Sequence, residues 1–141
     1  HIYGFNATVT PFQRLYFSGA FTYTDSSIST AQNGDPSIVP YRGHIYTFTG
    51  SSSYALNQKT DLRGAYSFSQ SDYAQDNFAN GLPLGLEYTR HAISFGITRR
   101  LSQALTANLR YAFFQYSEPS SGGLNDYTAH GISATLVYKW K

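Results

Sequence analysis

The feature that most constrains this chain is a period-two alternation of apolar and polar side chains that recurs in one segment after another. It runs near residues 2 to 10, 15 to 25, 44 to 56, 60 to 70, 87 to 99, 104 to 116 and 128 to 140, each segment bounded by turn-forming residues. Successive side chains of a strand point to opposite faces, so each segment has an apolar side and a polar side. In the first, Tyr3, Phe5, Ala7 and Val9 oppose Gly4, Asn6, Thr8 and Thr10. In the second, Leu15, Phe17, Gly19, Phe21 and Tyr23 oppose Tyr16, Ser18, Ala20, Thr22 and Thr24. Tyr46, Phe48, Gly50, Tyr54 and Leu56 oppose Thr47, Thr49, Ser51 and Ser53 in the third. Leu105, Ala107, Leu109, Tyr111 and Phe113 oppose Thr106, Asn108 and Arg110 in the sixth. The chain therefore reads as all-β and antiparallel.

What covers the apolar sides decides between water and lipid. Aromatic residues make up 17% of the chain, with 13 Tyr, 10 Phe and 1 Trp, and charged residues only 13%, against roughly 25% in soluble domains. Mean hydropathy is −0.35, and no apolar run approaches the ~20 residues of a membrane-spanning helix. An up-and-down transmembrane β-barrel reconciles these facts, because only alternate residues of each strand meet lipid. Most of the segments also have the length of a membrane-crossing strand, about 9 to 11 residues. With no Cys, a disulfide framework, thiolate metal sites and covalent c-type haem attachment are excluded. The net charge of +2 and the lack of any basic run beyond Arg99-Arg100 speak against nucleic acid as a partner.

The connections alternate in length. Pro11 to Arg14, Asn57 to Thr60 and Arg100 to Ala104 are short; Ser26 to Gly43, Ser71 to Leu86 and Glu118 to Tyr127 are long and rich in Ser, Gly, Asn, Asp and Pro. In bacterial barrels short turns face the periplasm and long loops the exterior, so the first strand descends and the seventh ends on the periplasmic side. A repeat at roughly 45 residues marks successive hairpins rather than propeller blades, which need four strands each. His1-Ile2-Tyr3-Gly4-Phe5 matches His44-Ile45-Tyr46-Thr47-Phe48, and His91 and His130 open the later descending strands. Ser18 to Tyr23 aligns with Arg63 to Phe68 and, more loosely, with Arg110 to Gln115.

The last strand places Ile132, Ala134, Leu136, Tyr138 and Trp140 on one face and Gly131, Ser133, Thr135, Val137 and Lys139 on the other. It resembles the C-terminal signature of Gram-negative outer-membrane β-barrel proteins, in which alternating apolar residues lead to a terminal aromatic. Here Lys141 follows that aromatic. The resemblance implies a bacterial outer-membrane location, with the lipid bilayer and the barrel-assembly machinery as partners and Ile132, Leu136, Tyr138 and Trp140 as the assembly signal. Single-chain bacterial barrels have an even number of strands, so seven visible strands imply at least one more on the N-terminal side. Residues 1–141 are then a single barrel domain or the C-terminal portion of a larger barrel, with His1 beginning in mid-pattern. The repeated Tyr-rich hairpins also look like the large barrels of the MtrB/PioB type, which sheath multihaem cytochromes in porin–cytochrome electron conduits. That likeness implies a periplasmic or lumenal cytochrome as partner.

Two groups of residues are singled out by their phase. His1, His44, His91 and His130 share the phase of Tyr3, Tyr46 and the other lipid-facing residues, which makes them an outer aromatic and histidine girdle rather than a metal or haem cluster. Asp61, Arg63, Asn108 and Arg110 have the opposite phase and are expected to line a lumen. That lining either favours anions or a plug, or forms the internal ion-pair network that fills small barrels. Catalysis is not expected: His130 and Ser133, near Asp126, are three residues apart and point to opposite faces. No cofactor site is expected either. Two functions remain: a porin-like channel or sheath around a partner, and a non-conducting structural or adhesive small barrel with interaction loops. A soluble sandwich or lipocalin-like barrel, with the aromatic face turned into a core, is the alternative fold.

Overall fold

The computed structural model describes residues 1–32, 35–74 and 86–140, and for residues 28–32, 35–41, 73 and 74 it describes the backbone alone. Seven strands follow one another: β1 (Ile2–Phe12), β2 (Leu15–Gln32), β3 (Asp35–Asn57), β4 (Thr60–Ala74), β5 (Tyr88–Arg100), β6 (Leu105–Ser117) and β7 (Tyr127–Tyr138). They form one sheet in the order β1-β2-β3-β4-β5-β6-β7, every neighbouring pair antiparallel. The sheet is an open meander. β1 and β7 are its two edges and are not paired with each other. Among the described residues no helix is long and apolar enough to cross a membrane.

The seven expected strands are all present, and the differences lie at their ends. Within the segment from Ser26 to Gly43, expected as a long loop, Ser26 to Gln32 and Asp35 to Gly43 instead continue β2 and β3, which pair as far as Gln32 and Asp35 with register shifts between Ile28, Thr30 and Ala31. Asn33 and Gly34 lie outside the described residues. The segment's Ser, Thr and Ile residues suit a solvated strand as well as a loop, because Ile and Thr are β-branched and favour extended backbone. β4 similarly runs on to Ala74, and residues 75–85 of the next expected loop lie outside the described residues. The third connection folds into a single 3-10 turn at Pro119–Ser121. Gly122 and Gly123 follow it with φ of 66° and 82°, a left-handed conformation that a side chain would strain.

The short turns form where local chemistry caps them. Asn57 Oδ1 accepts the Lys59 backbone N–H at 2.9 Å, an Asx turn that reverses the chain between β3 and β4. Ser102 Oγ accepts the Ala104 and Leu105 backbone N–H groups at 3.2 and 3.0 Å, closing the β5–β6 turn. These turns set the register, and the register sorts the side chains, since a slip of one residue would send a strand's apolar set to the wrong face.

The sheet has two unlike faces, and among the described residues there is no apolar core. One face carries Phe5, Phe21, Phe48, Tyr66, Ile93, Tyr111 and Ile132 across successive strands, with cross-strand partners such as Phe5↔Phe21, Phe21↔Phe48 and Tyr66↔Ile93. The other carries Thr8↔Ser18, Ser18↔Ser51, Ser51↔Ala65 and Ala65↔Ser94. Among the described residues no hydrophobic side chain is buried, and Phe95, in mid-strand on the aromatic face, is 63% exposed.

Candidate functional site

The polar face holds the residues expected to line a lumen, and the register brings them together. One row across the sheet reads Tyr16, Ser53, Arg63, Gly96, Arg110 and Ser133. The next row toward the long connections reads Ser18, Ser51, Ala65, Ser94, Ala112 and Gly131. The next row toward the short turns contains Asp61, Thr98, Asn108 and Thr135. Arg63 and Arg110 thus share a row on either side of Gly96, two strand spacings apart, or about 9.6 Å between backbones. A concavity of about 420 Å³ is lined by Tyr16, Ser53, Arg63, Ser94, Asn108 and Arg110, among others.

The ion-pair network expected as one reading of these residues does not form among the described residues. Among the described residues the only carboxylate in an ion pair is Asp25, with Arg42 at 3.8 Å; His44 Nδ1 lies 3.6 Å from the same carboxylate and pairs with it as an ion only when the imidazole is protonated. Asp61 lies two residues from Arg63 on the same face but forms no ion pair with it. Arg110 Nη2 donates to Ser94 Oγ at 3.3 Å. Elsewhere the face is laced by hydroxyl contacts, Ser18 with Ser51 at 3.2 Å and Ser69 with Tyr88 at 3.2 Å. Toward the long connections it ends in a stack of Tyr88, Tyr116 and Tyr127, with ring centroids 5.8 and 5.4 Å apart.

On the aromatic face the four histidines behave as a set. Tyr23 OH, Tyr66 OH and Tyr111 OH meet Nδ1 of His44, His91 and His130 at 2.8, 3.0 and 2.8 Å. In each pair a tyrosine on β2, β4 or β6 reaches diagonally to the histidine of the strand that follows. With the hydroxyl donating, Nδ1 is the unprotonated nitrogen and Nε2 carries the hydrogen. His1 stacks on Tyr3 at 6.4 Å, and Tyr23 packs against Tyr46 at 5.0 Å. These tyrosine partners were not visible in the sequence, because the repeat aligns Tyr23, Tyr66 and Tyr111 to different positions of the motif. The signal that finds them is the diagonal cross-strand geometry.

The histidines do not converge. Continued at constant register, the row through His1 runs by Asp25, His44 and Asp72 to Glu87, Pro119 and Leu124. His91 lies four residues past Glu87 and His130 six past Leu124. Over six strand steps the line shifts by about one residue per strand, which at 3.4 Å rise and 4.8 Å spacing inclines it by ~35° to the perpendicular across the strands. Among the described residues no group of three or more His, Cys, Asp or Glu could hold a metal ion. His130 and Ser133 fall on opposite faces, since His130 pairs with Phe113 and Ser133 with Arg110.

Charge is unevenly distributed along the strands. Arg14, Lys59, Arg99, Arg100 and Lys139, with Asp61, stand at the short-turn end, and Asp25, Asp72, Glu87, Glu118 and Asp126, with Arg42 and Arg90, at the opposite end. There Glu118, only 8% exposed, accepts Tyr116 OH at 2.7 Å and Asn125 Nδ2 at 3.1 Å. Asp126 accepts the Glu118 backbone N–H and Ser117 Oγ, and Ser120 bonds the backbone of Glu87. The connection after β6 is thereby tied to the start of β5. Ile132, Leu136 and Tyr138 of β7 are exposed, as is Trp140 just beyond its end, by 88%.

No family model, curated protein or solved structure matches this chain.

Proposed function

We propose that this chain forms part of the wall of an outer-membrane β-barrel, its aromatic face to lipid and its polar face to a lumen, making a porin-like channel or a sheath around a partner such as a multihaem cytochrome. The observation that carries the reading is the absence of any buried hydrophobic side chain among the described residues of a sheet with one continuous aromatic face. In water such a face would have to be covered, whereas in a bilayer it is already solvated. Two further features support it. The histidine line drifts across the strands as a belt of constant height does on tilted strands, and each Tyr–His pair satisfies the polar tips of rings standing at an interface. The exposed Trp140 strand suits recognition by the assembly machinery.

A second reading, a non-conducting small barrel with interaction loops, is favoured by the Tyr88–Tyr116–Tyr127 stack on the polar face. Three large rings on the lumen side narrow that end of the interior, and the Glu118 cluster orders the connection above it. The first test is fractionation of the full-length protein with the outer membrane, together with heat-modifiable migration in detergent. A soluble protein that needs no detergent refutes the membrane reading. Conductance in planar bilayers then separates the two functions, a channel giving steady open currents and a filled barrel none.

A further inference from the structure

The arrangement of Arg63 and Arg110 about Gly96 goes beyond a generally basic interior. Two guanidinium groups on alternate strands normally have a side chain of the intervening strand between them. Here that position is glycine, and the adjoining row contributes Ala65, Ser94 and Ala112, so the space between the arginines is open and forms part of the 420 Å³ concavity. A Cβ built on Gly96 would meet only the Leu109 carbonyl oxygen, at an ordinary 3.7 Å, so the backbone does not demand glycine here. Gly96 has a negative or extended φ, as the glycines in the left-handed region are Gly122 and Gly123.

We propose that the Arg63–Gly96–Arg110 row is a binding site for a small oxyanion, a phosphate or carboxylate group held between two guanidinium forks. Each planar guanidinium presents paired N–H donors that match the oxygens of such a group. Backbones about 9.6 Å apart leave room for one oxyanion with a fork on either side. Ser94 Oγ, which accepts from Arg110 Nη2, fixes that guanidinium on the polar face beside the gap, and Ser53 and Asn108 line the same concavity as further donors. Asp61 is the carboxylate in the neighbouring row; unpaired with Arg63 among the described residues, it leaves a local excess of positive charge. The site follows from the register of β4, β5 and β6 and does not depend on whether the lumen conducts.

The test uses the full-length protein folded in detergent and inorganic phosphate as the probe, followed by calorimetric titration and by broadening of the phosphorus resonance. Saturable binding is expected, weakened about tenfold or more by Arg63→Gln or Arg110→Gln, since each removes charge-assisted hydrogen bonds. Gly96→Thr fills the gap with a residue that suits a strand, so it abolishes binding while β-sheet signal and heat-modifiable migration persist. Arg14→Gln, which removes the same charge from a turn, leaves binding unchanged. The proposal is overturned if the parent protein shows no saturable binding, if folded Gly96→Thr binds as the parent does, or if Arg14→Gln weakens binding as much as the row variants. A protein that binds phosphate yet fractionates as soluble sinks the membrane reading and leaves this site standing; an outer-membrane protein without saturable binding does the reverse.

Discussion

Replacing Phe95 by Arg separates lipid from water as the surroundings of the aromatic face. Phe95 lies four residues along β5 from His91, about 14 Å at the usual strand rise and ~11 Å of depth for strands inclined by ~35°. The apolar band of a transmembrane barrel is about 25 Å tall, so Phe95 falls near its middle if His91 marks the interface. A cationic residue on the lipid face at that depth costs about 2–4 kcal/mol, against about 0–1 kcal/mol near the interface. Thr98→Arg places the same charge three residues away on the polar face, opposite Asp61, where the cost is that of an ordinary surface change, within about 0.5 kcal/mol. His91→Arg should fall between them. The assay is equilibrium unfolding of the full-length protein from lipid vesicles in denaturant, read by gel migration. The expected order of destabilisation is Phe95→Arg, then His91→Arg, then Thr98→Arg. Equal costs at positions 95 and 98, or a Phe95→Arg variant that is as stable as the parent, would refute the assignment of faces.

Tyr111→Phe removes the hydroxyl that meets His130 Nδ1 at 2.8 Å. A double-mutant cycle with His130→Ala, followed by the same unfolding assay, is expected to give a coupling of about 0.5–1.5 kcal/mol; additive single effects would show that the contact contributes nothing. Glu118→Gln replaces an acceptor of Tyr116 and Asn125 by a group with one donor end. Proteolytic nicking between residues 119 and 126 should rise several-fold while global unfolding is unchanged, and an equally resistant loop would refute the ordering role of Glu118. Trp140→Ala should reduce the amount of folded protein reaching the membrane in cells, while the purified variant still refolds in detergent with heat-modifiable migration. Normal assembly in cells would sink the terminal strand as an assembly signal.

The strands and their two faces were legible in the sequence because period two carries both at once. Tyr3, Phe5 and Val9 against Gly4, Asn6 and Thr8 need no partner to be read. The ends of β2 and β3 were not legible, since Ser26, Ser27 and Thr30 carry as much loop character as strand character and pairing alone decides between them. Phase placed Arg63 and Arg110 on the polar face. Their sharing one row about Gly96 depends on two successive cross-strand registers, and these are set by turns whose lengths a sequence does not convert into alignment. The Tyr–His pairs were hidden for the same reason: each histidine finds its tyrosine across a hydrogen-bonded diagonal, at sequence separations of 21, 25 and 19 residues.

The sorting of charge along the strands gives the sheet an electrical polarity. Five carboxylates with Arg42 and Arg90 at one end, and Arg14, Lys59, Arg99, Arg100 and Lys139 with Asp61 at the other, stand about 37 Å apart along the strand, the eleven steps from Arg14 to Asp25 at the usual rise. If, as proposed, such a wall bounds a lumen, the two mouths differ in charge, at a separation beyond the distance over which physiological salt screens them from each other. In a conducting lumen of that kind the two directions of flow are inequivalent, and reversing the applied voltage is expected to change the current as well as its sign.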